Sequence, residues 1–154
     1  TSSSHAEYTT SGSNGYTFYC IVSSNVGGTS SVQSSTATLT AVWIPTYATY
    51  DGDQTTYSNS SGVTLTHTGN DGNASIISRQ WYYWNGGTYI AMSGETSTSV
   101  AFSAGSYTGT PDSLGGGLYR YWYTIRLQNA AGYNNPQTEG VSPNGFETYF
   151  DIQT

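Results

Sequence analysis

Lysine is missing from this chain altogether, and arginine occurs only three times, as Arg79, Arg120 and Arg126. Against 9 acidic residues this leaves a net charge of −6. No basic patch can form to neutralise phosphates or meet an anionic membrane, so nucleic-acid and membrane-surface binding are set aside. A single cysteine, Cys20, excludes an intramolecular disulfide framework. The two histidines, His5 and His67, show no metal-ligand spacing and no cysteine partner, which argues against a zinc site. No apolar run approaches the roughly 18 residues of a membrane helix. A signal peptide is not legible either, so a secreted protein would be represented here in mature or trimmed form. Helical periodicity is absent throughout.

Serine, threonine, glycine, tyrosine and asparagine fill the space that charge leaves. Only 8% of residues are charged while 15% are aromatic. That balance suits β-strands with hydroxyl-rich outer faces and glycine-rich turns, and the aromatic content with clear alternation opposes disorder. One pattern occurs twice: Tyr16-Thr-Phe-Tyr-Cys-Ile-Val-Ser-Ser-Asn-Val-Gly-Gly28 and Tyr119-Arg-Tyr-Trp-Tyr-Thr-Ile-Arg-Leu-Gln-Asn-Ala-Ala-Gly132. Each alternates aromatic and aliphatic residues and ends on Asn, two residues, Gly. The copies lie about 100 residues apart, the length of one β-sandwich domain.

Residues 1–48 read as three strands: Ala6–Thr10, a central Tyr16–Ser24, and Ser34–Val42. Ser11–Gly15 is a turn. On the central strand Phe18, Cys20 and Val22 share one face, and Ala37, Leu39 and Ala41 alternate with threonines. Cys20 is therefore expected to be a buried, unreactive thiol. Trp43-Ile-Pro-Thr-Tyr47 marks the junction, because proline forbids a ladder hydrogen bond there. In residues 49–154 the expected strands are Val63–His67, Ile76–Trp84, Tyr89–Met92, a strand around Val100 and Phe102, Tyr119–Gln128 and Phe146–Ile152. Gly105–Gly117 reads as a loop.

Arg79-Gln-Trp-Tyr-Tyr-Trp-Asn-Gly86, followed by Ile90-Ala-Met-Ser-Gly-Glu-Thr96, resembles the C-strand segment of bacterial and phage immunoglobulin-like domains. Tyr123-Thr-Ile-Arg-Leu-Gln-Asn-Ala-Ala-Gly132 is similar to their F strand and F–G turn. The resemblance implies an all-β, Greek-key antiparallel sandwich over residues 49–154. It implies an incomplete unit over 1–48, holding only E, F and G strands. Trp81 would be the core tryptophan, with Tyr123 and Ile125 inward. The B–F disulfide of antibody domains is absent, which removes any antibody-like subtype.

No catalytic constellation emerges. Asp51-Gly-Asp53 and Asn70-Asp-Gly-Asn73 resemble fragments of calcium loops but lack the spaced acidic ligands and closing glutamate, so turn chemistry explains them. No Gly-x-Ser-x-Gly elbow occurs. No metal or cofactor is expected, and the chain reads as a non-enzyme. The sequons Asn59-Ser-Ser61 and Asn73-Ala-Ser75 make Asn59 and Asn73 candidate glycosylation sites.

Two surfaces carry the functional expectation. With Trp81, Tyr123 and Ile125 inward, alternation sends Tyr82, Trp84, Arg120, Trp122 and Arg126 outward, and the resemblance, in which strands C and F are neighbours, implies that the five share one outer face. Those residue types are enriched in interfaces and stack on sugars, while a cross-strand ladder that only stiffens the sheet is the competing role. The second surface is the row Phe18, Cys20, Val22 and Leu39, a groove awaiting strands from another copy or from an upstream segment. The expected function is a structural subunit of an extracellular filament, adhesin stalk or virion surface fibre, assembling head-to-tail with copies of itself. A carbohydrate-binding module built on Tyr82, Trp84 and Trp122 is the alternative, with glycans as partners.

Overall fold

The computed structural model describes residues 13–24, 27, 30–45, 48–51, 54–69, 72–133 and 147–154. The expected strand Ala6–Thr10 and two residues of each calcium-loop-like stretch, 52–53 and 70–71, lie outside these residues. The chain divides into two compact units, Thr1–Trp43 and Ile44–Thr154.

The described part of the first unit holds two strand pairs. β1 (Thr17–Phe18) pairs with β4 (Ala37–Thr38), and β2 (Ile21–Ser24) pairs with β3 (Ser30–Gln33), both antiparallel. Gly15, at φ 83°, ends the turn before β1. Between the two pairs the ladder narrows to single contacts: the Ser34 amide donates to the Cys20 carbonyl at 2.8 Å, and the Cys20 amide donates to the Ser34 hydroxyl at 2.9 Å. The central strand expected over Tyr16–Ser24 is thus broken at Tyr19–Cys20, and the closing strand shrinks to Ala37–Thr38.

This break corrects the burial expected there. Cys20 is exposed, Val22 is 67% exposed, and Phe18 and Leu39 are only half-buried. Period-two alternation sorts side chains onto faces, but a face is buried only where a second layer covers it. Among the described residues each pair is a two-stranded sheet on its own.

The second unit is a layered β structure. Its strands are β5 (Ala48–Asp51), β6 (Thr56–Ser58), β7 (Val63–Gly69), β8 (Ser78–Trp84), β9 (Tyr89–Ala91), β10 (Ser99–Phe102), β11 (Asp112–Gly115), β12 (Leu118–Asn129), β13 (Gly132–Tyr133) and β14 (Glu147–Gln153). One sheet has the order β10-β7-β5; the other runs β6-β14-β12-β8-β9, with β11 and β13 also paired to β12. All pairings are antiparallel except β6 with β14. Part of the expected Gly105–Gly117 loop is therefore strand: Asp112 and Ser113 pair with Arg120 and Tyr119.

Both sheets contribute to one core. Val63, Leu65, Val100 and Phe102 from the smaller sheet meet Trp81, Tyr123, Ile125, Leu127, Phe150 and Ile152 from the larger. Phe102 sits 4.7 Å from the Tyr123 ring and 5.4 Å from that of Phe150, centroid to centroid. The Trp81 indole N–H donates to the Ser97 carbonyl at 2.9 Å, so the largest core side chain carries no unsatisfied donor. At about 1.5–3 kcal/mol for each fully buried large apolar side chain, this core is the main source of the unit's stability.

Candidate interaction surfaces

The register of the larger sheet fixes which side chains share its outer face. Tyr82 stands opposite Thr124, Gln80 opposite Arg126, Trp122 opposite Tyr149, and Arg120 opposite Asp151. Trp84 stands opposite Tyr89 on the edge strand. Tyr82, Trp84, Arg120, Trp122 and Arg126 accordingly lie on one side of the sheet, with Trp81, Tyr123 and Ile125 fully buried on the other.

The residues on that face are tied to one another. Arg120 forms a bidentate pair with Asp151, through Nε to Oδ1 at 2.9 Å and Nη2 to Oδ2 at 3.0 Å. Its guanidinium carbon lies 3.6 Å from the centroid of the Tyr149 ring and 5.6 Å from that of Trp122. The hydrogen bond to Asp151 raises the Arg120 pKa above its ordinary value, against the opposing effect of burial. Trp122 packs edge-on against Tyr149 at 4.9 Å, and its indole N–H donates to Asp112 at 2.8 Å. Arg126 hangs between Tyr82 and Tyr133, 5.8 Å and 5.6 Å from the ring centroids.

Tyr82 departs from the expected exposure. It is 3% exposed, and its neighbour Thr124 is fully buried. The Tyr89 hydroxyl, from β9, donates to Glu147 on β14 at 3.0 Å. β8 and β12 lie between those strands, so this bond crosses above Tyr82 and Thr124 and roofs them. Only Arg126 of the five expected residues is exposed; Trp84, Arg120 and Trp122 are half-buried.

The groove residues of the first unit present a different picture. Phe18 and Leu39 are half-buried, whereas Cys20 and Val22 are open. Val22 stands opposite Val32, which is 72% exposed, and Ile21 emerges on the other face of the same ribbon. Tyr16 and Tyr19 are exposed as well. The sequon residues Asn59 and Asn73 are both exposed, the latter at φ 60°.

Several contributors were not singled out from the sequence: Tyr89, Asp112, Glu147, Tyr149 and Asp151. The alternation in Glu147-Thr-Tyr-Phe-Asp-Ile-Gln153 held the signal, since Phe150 and Ile152 inward require Glu147, Tyr149 and Asp151 outward. Among the described residues no group of three metal-ligating side chains gathers, and no helix is long and apolar enough to cross a membrane. No protein-family model and no curated protein matches the chain.

Proposed function

We propose that this chain is a non-catalytic structural subunit that assembles with copies of itself through immunoglobulin-like units, in a filament, stalk or fibre outside a cell or on a virion. The strand order supports the immunoglobulin-like reading of residues 49–154. A β10-β7-β5 sheet faces a β6-β14-β12-β8-β9 sheet, matching an E-B-A layer against an A′-G-F-C-C′ layer, and the buried Trp81 sits on the strand that would be C.

The observation that carries assembly is the β2–β3 ribbon. Ile21, Val22 and Val32 stand exposed on a two-stranded element, a size that is marginal in water on its own. Among the described residues the ribbon is a sheet of two strands with two edges, and neither strand carries the lysine, charge or proline that keeps free edges apart. A strand from a second copy would satisfy both needs. Such a head-to-tail contact does not close on itself, and so propagates.

The outer face of the larger sheet gives less support to a sugar platform on Tyr82, Trp84 and Trp122. Tyr82 is roofed over, and Trp122 is engaged by Tyr149, Arg120 and Asp112. A stiffening ladder accounts for those contacts.

Sedimentation velocity over a concentration series, with electron microscopy of the concentrated sample, tests the assembly reading. Species larger than the monomer should grow with concentration and fall away in a Val22→Ser/Val32→Ser variant. A wild-type chain that stays monomeric at every concentration overturns it.

A further inference from the structure

The three-stranded sheet of the second unit ends before the larger sheet does. β7 starts at Val63 and β10 stops at its register partner Phe102, whose ring lies over Tyr123 and Phe150. β12 and β14 run on past that level, to Leu118 and Gln153. The inward side of this overhang is lined by tyrosine. Tyr57 of β6 pairs with Ile152, and Ile152 with Tyr119, so two tyrosines flank one isoleucine across three adjacent strands. Tyr121 stacks on Phe150 at 5.7 Å and 24°, and Tyr107 closes the end, 5.5 Å from Tyr121 and 5.6 Å from Phe150.

All four tyrosines are half-buried, while Ile152 and Phe150 beneath them are buried. The Tyr107 hydroxyl is held by the Ser61 carbonyl at 2.7 Å. Among the described residues, those of Tyr57, Tyr119 and Tyr121 make no hydrogen bond to the protein. No charge joins them from the flanking strands: Arg120 and Asp151 pair on the opposite face of the sheet, where Asp112 binds Trp122.

We propose that this tyrosine shelf is a binding site for a neutral oligosaccharide. Flat rings accept the CH-lined faces of pyranose units, and the three free hydroxyls can each donate to and accept from sugar hydroxyls. Tyr57 and Tyr119 are two strand spacings apart, about 10 Å, the length of a disaccharide unit. The absence of charge among the described residues of this face, in a molecule of net charge −6, selects against anionic glycans. The site lies within the second unit and does not depend on the assembly reading.

Affinity electrophoresis of the whole chain through gels containing mixed-linkage β-glucan, xyloglucan, galactomannan or soluble starch tests this, with alginate as the anionic control. At least one neutral polysaccharide should retard the wild-type chain and alginate should not. Tyr57→Ala/Tyr119→Ala should abolish the retardation, and Trp122→Ala on the opposite face should leave it. Tyr119→Phe/Tyr121→Phe keeps every ring and removes two hydroxyls, so it separates recognition from folding. It should weaken binding at least about fivefold, the effect of one lost hydrogen bond, with an unchanged melting temperature. No retardation by any neutral polysaccharide, retardation by alginate alone, full binding by either tyrosine double variant, or loss in Trp122→Ala overturns the proposal.

Discussion

Tyr89 and Glu147 are joined by a 3.0 Å hydrogen bond although two strands separate them. The bond passes over Thr124, which is fully buried, and holds β9 to β14 across the outer face of the sheet. A hydroxyl donating to a carboxylate in a partly covered site contributes about 1.5–3 kcal/mol. Tyr89→Phe should therefore lower the unfolding free energy by about that amount, measured from denaturant midpoints. In a double-mutant cycle with Glu147→Ala the coupling should reach about 1–2 kcal/mol. Additive losses would mean that the roof is held by packing alone.

The Arg120 pair should not tolerate lysine. Arg120 meets Asp151 with two parallel donors while its plane covers Tyr149. Lysine keeps the charge but offers neither the fork nor the flat surface. Arg120→Lys should cost about 1–2 kcal/mol, and the loss should persist in high salt because packing and geometry, more than long-range attraction, are removed. Thermal unfolding of the two proteins at low and high ionic strength measures both points.

Alkaline pH should unfold the second unit through its tyrosines. Burial raises the pKa of Tyr123, whose hydroxyl donates to the Thr108 carbonyl at 2.7 Å, and burial with Tyr107 and Tyr119 nearby raises that of Tyr121. Both groups keep their protons in the folded state above the pH at which the unfolded chain loses them. Their contribution is thus fully present below about pH 10 and declines above it, by at most about 1.4 kcal/mol per pH unit for each tyrosine. Denaturation followed from pH 8 to 11.5 should show a falling midpoint that flattens in Tyr123→Phe. An equally steep fall in that variant would place the alkaline transition elsewhere.

The core strands of the second unit were legible because their pattern is locally consistent: Val63 and Leu65 alternate with threonines, Val100 and Phe102 flank Ala101, and Trp81, Tyr123 and Ile125 keep the same period of two, whereas the short β5 and β6 were not expected. The ladder was half legible. Alternation with the immunoglobulin-like resemblance placed Tyr82, Trp84, Arg120, Trp122 and Arg126 on one face, but Tyr89 reaching Glu147 and Arg120 reaching Asp151 depend on register between strands distant in sequence. β11 was hidden by Pro111 and by Gly115, Gly116 and Gly117, which read as loop chemistry. In the first unit Phe18, Cys20 and Val22 have the alternation of a core strand. Burial needs a covering layer, and a single strand's sequence does not encode one.

Cys20 offers a direct check on that point. It is exposed at the break between the two strand pairs, so a disulfide reagent should modify it in the native state at close to the rate seen in denaturant. Protection that develops as the protein concentration rises would trace the ribbon entering an interface between copies. Protection at all concentrations would restore the buried strand expected from alternation alone.

Gly109 and Gly94 separate two reasons for keeping glycine. Both have positive φ, 119° and 83°. A Cβ at Gly94 would meet nothing within 4 Å, so Gly94→Ala should carry only backbone strain, about 1–2 kcal/mol. A Cβ at Gly109 would lie 2.9 Å from the Trp84 carbonyl oxygen, a contact that something must move to relieve. The loop has little freedom to move. Thr110 donates its amide to that same carbonyl at 2.9 Å and its hydroxyl to the Asn85 carbonyl at 2.9 Å, while Thr108 accepts from Tyr123 at 2.7 Å. Gly109→Ala must therefore break one of these bonds or push the end of β8 away from the loop, in addition to the strain. Its loss of stability should be at least about twice that of Gly94→Ala. Equal losses in the two variants, measured by denaturant unfolding, would show that the loop yields freely and does not clamp the end of the sandwich.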